Sequence, residues 1–404
     1  MKSQMIGYHD ALRLTLETVP CLQNEYLPLL EALDAASAEN MQGKVASPSV
    51  TSSLKDGYAV QSEDICNATP DTPVRLKVIG TAAAGGGKGE GVNRGESVRI
   101  LTGAGIPKGA DAVVSEEFTC RDGDDVMVNI HAEPGRNIFK RGDDVAIGDL
   151  ICKKGDRMTP GLIGLLAAAG YHEISVFKRP KVSLTATGDE ILIPGAPLIE
   201  GKLYASNLAT LTAWCRRYGM ETEMEVVRDD ERTILRHFEK MLPRCDALLT
   251  SGGAWTGDRD LVVKVLNTLG WKQYFHRIRI GPGKAVGFGI LQGKPVFVLP
   301  GGPPSNLLAF LTIALPGLLK MSGFNTPGLP QVEATVKQTV KVRDIDWTQF
   351  IFGKLVTDNG QSFFEPYKLK SRLQSMAHAK GIMAVPEGEL KIEKGSRVSV
   401  RLLS

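Results

Sequence analysis

The sequence predicts a multidomain α/β plus β protein, and three observations carry that reading. Residues 181 to 322 alternate between strand-like and helix-like periods, the pattern of a doubly wound layered sheet. Residues 46 to 145 are rich in glycine and short β-like runs, with hardly any helical stripe. Beyond residue 326 the chain alternates polar and apolar positions, as in QVEATVKQTVKV and RVSVRLL, which reads as a β-barrel or sandwich.

The elements follow in order. LIGLLAAAGY (162–171) reads as a helix packing with residues 21–45. KVSLTATG is a strand, and ASNLATLTAWCRRYG a helix with Leu208, Leu211, Cys215 and Tyr218 on one stripe, Ser206 as N-cap and Gly219 past its end. Then come strand TEMEVVR, helix DERTILRHFEKML capped by Asp230, strand DALLTS, helix DLVVKVLNTLG, strands FHRIRI and PVFVLP, and helix PSNLLAFLTIALPGLLKM. The expected division is a linking domain (21–45 with 146–178), an inserted β-rich domain (46–145), an α/β domain (1–20 with 179–326) and a C-terminal β domain (327–404).

Composition excludes several classes. At 404 residues the chain exceeds one hydrophobic core, and 43% hydrophobic with 23% charged residues is ordinary for a soluble protein. A net charge of +3 without a basic tail gives no nucleic-acid signal. The six cysteines form no CxxC pair and no zinc spacing, so reduced thiols in the cytoplasm are expected. The start has no secretory h-region, and the apolar run 307–319 is too short to span a bilayer, so no membrane association is expected.

In a parallel sheet of this type ligands bind outside the carboxyl ends of the strands. Three strand ends here carry glycine loops: TATGDE (185–190), TSGGAWTGDRD (250–260) and LPGGPPSN (299–306). Each alone is explained by turn sterics. Together, beside Asp189, Glu190, Asp229, Asp258 and Asp260, they point to a phosphate-bearing ligand with a divalent metal, balanced by Lys284 in RIGPGKAVGFG. The run AAAGGGKGEG (82–91) is not a phosphate loop, because Ala82 replaces the first glycine and Gly89 the serine or threonine after Lys88. Locally, Asp56, Thr102 and Asp144 read as turn residues or solvated acids.

In sequence order the chain carries SLKDGYA (53–59), RILTGA (99–104), GADAVV (109–114), GRNIFKRGDD (135–144), TGDE (187–190), RDD (228–230), SGG (251–253), GDRD (257–260), PGK (282–284) and LPGGP (299–303). With these in order it resembles the molybdopterin molybdenumtransferase family, the molybdenum insertases that include the E domain of gephyrin, over essentially its whole length. The resemblance implies the four-domain layout, with a molybdopterin-binding α/β domain and a C-terminal β-barrel. It also implies a homodimer whose site lies between the inserted domain of one subunit and the α/β domain of the other. The implied reaction cleaves adenylylated molybdopterin (molybdopterin-AMP), releases AMP and places molybdate on the dithiolene, with Mg2+.

Carried over by motif, Asp56, Thr102, Asp144, Glu190, Asp229, Asp260 and Lys284 are the implied catalytic residues, with Glu190, Asp229 and Asp260 as metal ligands. Thr187, Gly188, Asp189, Ser251, Gly252, Gly253, Pro300, Gly301, Pro303 and Ser371 are the implied substrate-binding residues. The adenylyltransferase that makes the substrate is an implied partner. The chain departs from the family pattern at Gly281 and Phe352, where positive charge is usual, and at Trp255 and Gly302. Arg279 and Arg372 lie near enough in sequence to replace the lost charge. A non-catalytic molybdopterin-binding paralogue and a tungstate-preferring insertase are the alternatives.

Overall fold

A computed structural model describes residues 5–86, 91–252, 261–367 and 372–403. Its central sheet has the order Glu221–Val227, Lys181–Thr187, Ala247–Ser251, Lys294–Leu299, Gly287–Leu291, Lys272–His276. The first four strands are mutually parallel, Gly287–Leu291 runs antiparallel to them, and Lys272–His276 runs antiparallel to Gly287–Leu291. The inner strands are buried almost throughout rather than alternately, as a sheet covered on both faces requires. Strand alternation divides the cover: Leu249, Phe297 and Leu299 pack with the helices Ser206–Arg217 and Pro303–Ala309, while Leu248, Val296 and Val298 pack with Glu231–Met241 and Leu261–Thr268.

The Asp230 cap is as the sequence predicts: its carboxylate accepts from the Thr233 N–H at 2.9 Å. Three readings are corrected. Ala205, not Ser206, occupies the N-cap of the next helix upstream, and Ser206 is already helical. FHRIRI is not one strand, because Arg277 takes a φ of +75° and breaks it. Lys272–His276 stays in the central sheet, whereas Ile278–Gly281 leaves it to pair with Ile6–Gly7 and Thr348–Asp358. The strand Gly287–Leu291, which sequence reading passed over, fills the place beside Lys294–Leu299.

Residues 57 to 128 build a six-stranded sheet ordered Ala112–Ser115, Gly57–Val60, Glu96–Ile100, Val74–Ala82, Asp125–Val128, Thr119–Asp122. Gly57 is dictated by packing, since a Cβ there would lie 1.9 Å from the Val114 carbonyl oxygen. Two antiparallel pairs, Asn24–Pro28 with Glu173–Phe177 and Met41–Gln42 with Leu150–Cys152, close a small core around Leu29, Met158 and Leu166. At the other end of the chain, Thr348–Asp358, Gln361–Pro366, Gln331–Val336, Arg397–Leu402 and Gly381–Val385 pair in a closed ring, a five-stranded barrel without free edges. Phe350 and Phe352 turn inward from it and join Tyr8 and Ile280 in the core of the central sheet.

The helical run Pro303–Met321 is long and apolar enough to cross a membrane, yet 83% of that window is buried inside the fold. All six cysteines are free.

Candidate functional site

The carboxyl ends of the parallel strands bring three glycine turns side by side. Lys181–Thr187 ends at Gly188, with φ +150°, and Ala247–Ser251 ends at Gly252, with φ +99°. A Cβ on Gly252 would sit 3.0 Å from the Thr187 carbonyl oxygen, and one on Gly301 would sit 3.7 Å from the Gly252 Cα. A side chain at Gly252 would crowd the Thr187 turn, whereas the Gly301 turn already lies in ordinary van der Waals contact with Gly252. The PGK turn joins them, because a Cβ on Gly283 would lie 3.2 Å from the Ser305 carbonyl oxygen, in the first turn of Pro303–Ala309. Lys284 itself is exposed there and forms no ion pair among the described residues.

Two asparagines that sequence reading did not single out lock these loops together. Asn207 Nδ2 donates to Ser251 Oγ at 3.1 Å and to the Gly301 carbonyl at 2.8 Å. Asn306 Nδ2 donates to the same Ser251 Oγ at 3.1 Å and to the Pro300 carbonyl at 2.9 Å. Ser251 is buried and accepts from both, so its own proton is directed elsewhere. The available signal was a repeated Ser-Asn pair, Ser206-Asn207 and Ser305-Asn306, in the first turns of the helices Ser206–Arg217 and Pro303–Ala309.

Next to the first turn, a cavity of about 670 Å³ opens between Gly188–Leu192 and Val226–Asp230. Asp229 lines it, and its pKa is raised above the ordinary aspartate value, first by burial and then by Asp189, Glu190 and Asp230 nearby. Gly188 leaves space for Glu190, whose Oε2 would be 2.7 Å from a Cβ at that position. The Lys202 ammonium, another residue not anticipated, donates to the Asp189 carbonyl at 2.5 Å on the same rim. Among the described residues no three His, Cys, Asp or Glu side chains group tightly enough to hold a metal by themselves. Asp258, Asp260, Gly253, Trp255 and Ser371 lie outside the described residues.

Asp56 and Thr102 form a second constellation, and Asp144 is tied by its backbone to the same segment of chain. Asp56 Oδ1 accepts from the Thr102 N–H at 2.6 Å and from the Thr102 hydroxyl at 2.8 Å. These two bonds, in that order, hold the Asp56 carboxyl below its usual pKa, with Arg99 adding a smaller effect. Segment 47–56 organises the group: Ser47 O accepts from the Asp144 N–H at 3.0 Å, and Ser53 O from the Gly103 N–H at 2.8 Å. Asp56 and Thr102 are exposed, as is Asp144. Among the described residues no hydrogen bond, ion pair or strand pairing links this group to the loops at Thr187, Ser251 and Pro300.

The charge substitutes expected from sequence divide. Arg279 is fully engaged, donating to Met5 O at 2.6 Å, Asp346 O at 3.0 Å and Glu387 Oε2 at 2.9 Å, which ties the N-terminal strand to the barrel. It is a structural clamp rather than a replacement anion ligand. Phe352, 3% exposed, is core. Arg372 begins the exposed helix Arg372–His378.

Residues 6–170 match the MoeA N-terminal region (domain I and II), and residues 183–320 match a probable molybdopterin binding domain. The molybdopterin molybdenumtransferase of Haemophilus influenzae is 33% identical over 322 residues, covering 79% of this chain and 78% of that protein. The chain belongs to the molybdopterin molybdenumtransferase (MoeA) family. Molybdopterin molybdenumtransferase 2 of Mycobacterium tuberculosis is 29% identical over 405 residues, 98% of this chain and 99% of that protein. The solved molybdopterin biosynthesis MoeA protein of Pyrococcus horikoshii OT3 superposes with a TM-score of 0.84 at 28% identity, covering 99% of this chain and 100% of that one. The three glycine turns and the Asp229 cavity both belong to the segment that matches the molybdopterin binding domain, whereas the Asp56–Thr102 pair belongs to the MoeA N-terminal region.

Proposed function

We propose that this protein is a molybdenum insertase that cleaves adenylylated molybdopterin, releases AMP and transfers molybdate to the dithiolene. The observation that carries the proposal is the acidic rim of Asp189, Glu190 and Asp229 set beside three converging glycine turns, in a chain of the molybdopterin molybdenumtransferase family. The Gly188 and Gly252 N–H groups are taken by the Val227 and Leu299 carbonyls, so the other N–H groups of the turns and the directed Ser251 proton serve phosphate and pterin oxygens, and Lys284 supplies a cation beside them.

The raised pKa of Asp229 fits a rim that holds a divalent cation. Mg2+ is commonly held by one or two carboxylates together with substrate phosphate, so Glu190 and Asp229 are sufficient protein ligands without a closed cluster, with Asp260 as the third candidate. When bound there, the ion neutralises charge on the phosphoanhydride. The chain's own residues do the positioning: the asparagine-locked loops fix the pterin and phosphate end, and Asp56 accepts a hydrogen bond at the reacting centre.

Asp56 and Thr102 flank strands of the six-stranded sheet, Asp144 lies in a bend beyond it, and none of the three shares a described bond with the phosphate loops. That separation supports a homodimer in which one subunit's Asp56 group meets its partner's α/β loops. The reading further assigns a cytoplasmic location, a hand-over from the adenylyltransferase, and the division of domains read from the sequence.

The burial of Phe352 and the engagement of Arg279 favour a second reading, a molybdopterin-binding paralogue that stores or delivers cofactor, with a tungstate-preferring insertase as a variant of the first. Complementation separates them. A bacterial strain lacking its own insertase should regain molybdoenzyme activity at ordinary molybdate concentration when it expresses this chain. Loss of complementation in the Asp229→Ala variant is also expected, and failure of the unaltered, soluble protein to complement overturns the insertase reading.

A further inference from the structure

A cavity of about 600 Å³ opens on the C-terminal barrel beside the helix Arg372–His378. Lys354, Lys380 and the His378 imidazole line it together with Tyr367 and Ser375. Each is set in place by the backbone. The Tyr367 hydroxyl donates to the His378 carbonyl at 2.9 Å and fixes the end of the helix. The Lys380 N–H donates to the Gly353 carbonyl at 2.9 Å, and its carbonyl accepts from Leu403 at 3.0 Å.

Neither lysine here closes an ion pair among the described residues, for an identifiable reason. Glu365 stands directly opposite Lys354 in the antiparallel pairing of Thr348–Asp358 with Gln361–Pro366. Its carboxylate is nonetheless paired with Lys337, at 2.8 Å. Lys354 rests instead 5.8 Å above the centre of the Tyr367 ring. Among the described residues neither Lys354 nor Lys380 enters an ion pair, and no carboxylate lines the cavity. Two ammonium groups sharing one concavity repel each other unless an anion joins them, and Leu355 with Tyr367 gives the cavity an apolar wall.

We propose that this cavity is a binding site for a tetrahedral oxyanion, either free or as the phosphate of a larger molecule, held by Lys354 and Lys380 with His378 and Ser375 as further partners. The site stands on these side chains alone; only the identification of the free anion as molybdate rests on the insertase reading. Calorimetric titration of the full-length protein with molybdate, with inorganic phosphate and with AMP tests it. At least one of the three should bind, and the Lys354→Ala/Lys380→Ala double variant should weaken that binding by about tenfold or more. Lys391→Ala, outside the cavity, should leave it unchanged. Lys337→Ala should also weaken it, because Glu365 is then free to take Lys354. Preference for molybdate identifies a free oxyanion, and preference for AMP identifies a phosphate-bearing ligand. No binding of any probe, or binding indifferent to the double variant, overturns the proposal. AMP release from adenylylated molybdopterin, measured on the same unaltered protein, shows whether the insertase reading survives that outcome.

Discussion

The Nδ2 of Asn306 lies 3.1 Å from the Oγ of Ser251, and both residues are buried. One amide thus couples the end of the strand Ala247–Ser251 to the turn before Pro303, and Asn207 repeats the coupling from the other helix. Asn306→Ala should strand the Pro300 carbonyl and cost about 1–3 kcal/mol of stability. Asn306→Asp keeps the volume but loses the donor, so thermal melting should show a loss for it too. In both variants KM for adenylylated molybdopterin should rise more than kcat falls. Unchanged melting and unchanged KM would show that the loops hold their register without Asn306.

The acidic rim gives a pH and metal prediction. The folded Asp229 carboxyl has a raised pKa, so the folded state binds its proton more tightly than the unfolded state. The stabilisation is therefore present below the unfolded aspartate pKa and is lost as pH rises through the folded value, which leaves a penalty at neutral pH. Mg2+ should relieve that penalty. Calorimetric melting at pH 7 should rise on adding Mg2+ for the native protein, and this increment should be much smaller in Asp229→Asn. An identical increment in both would remove Asp229 from the metal site.

Asp56 behaves in the opposite sense, because its pKa is depressed by the Thr102 N–H and hydroxyl. Its contribution is present above the unfolded aspartate pKa and is lost as pH falls through the folded value. Thr102→Val removes the hydroxyl bond and keeps the N–H bond, so the Asp56 pKa read by NMR titration should move up part of the way towards the ordinary range. The fold should be retained, since Asp56 and Thr102 are exposed. A pKa that does not move would mean that the hydroxyl does not hold the carboxylate.

The two constellations predict complementation between subunits. Asp56→Ala and Glu190→Ala should each abolish turnover alone, whereas a verified heterodimer of the two should regain activity at one of its two sites. No recovery would argue that both residues serve a site within one chain.

Much of the fold was legible because it rests on periodicity. The strands Lys181–Thr187, Ala247–Ser251 and Lys294–Leu299 are short runs rich in apolar and β-branched residues that end in glycine turns, and the Asp230 cap follows from a carboxylate three residues before a free N–H. The break at Arg277 was missed although it leaves a trace: Phe275 and Ile278 stand three residues apart, so strict alternation fails between them, where Arg277 takes its positive φ. At the site, glycines and acids announced themselves by residue type. Asn207 and Asn306 did not, since asparagine in a first helical turn looks like ordinary end chemistry until two strands and two loops are brought against it. Arg279 was misplaced for a similar reason: sequence proximity to Gly281 says nothing about Met5, Asp346 and Glu387, which claim its guanidinium from distant parts of the chain.

The insertase reading is tested most directly by one assay on the purified protein. Adenylylated molybdopterin is supplied with Mg2+, with and without molybdate, and AMP release is followed alongside molybdenum bound to the pterin. The expected result is AMP release coupled to formation of the molybdenum-loaded cofactor, both lost in Asp229→Ala. Tight retention of adenylylated molybdopterin, with neither AMP release nor molybdenum insertion at any molybdate concentration, would contradict it.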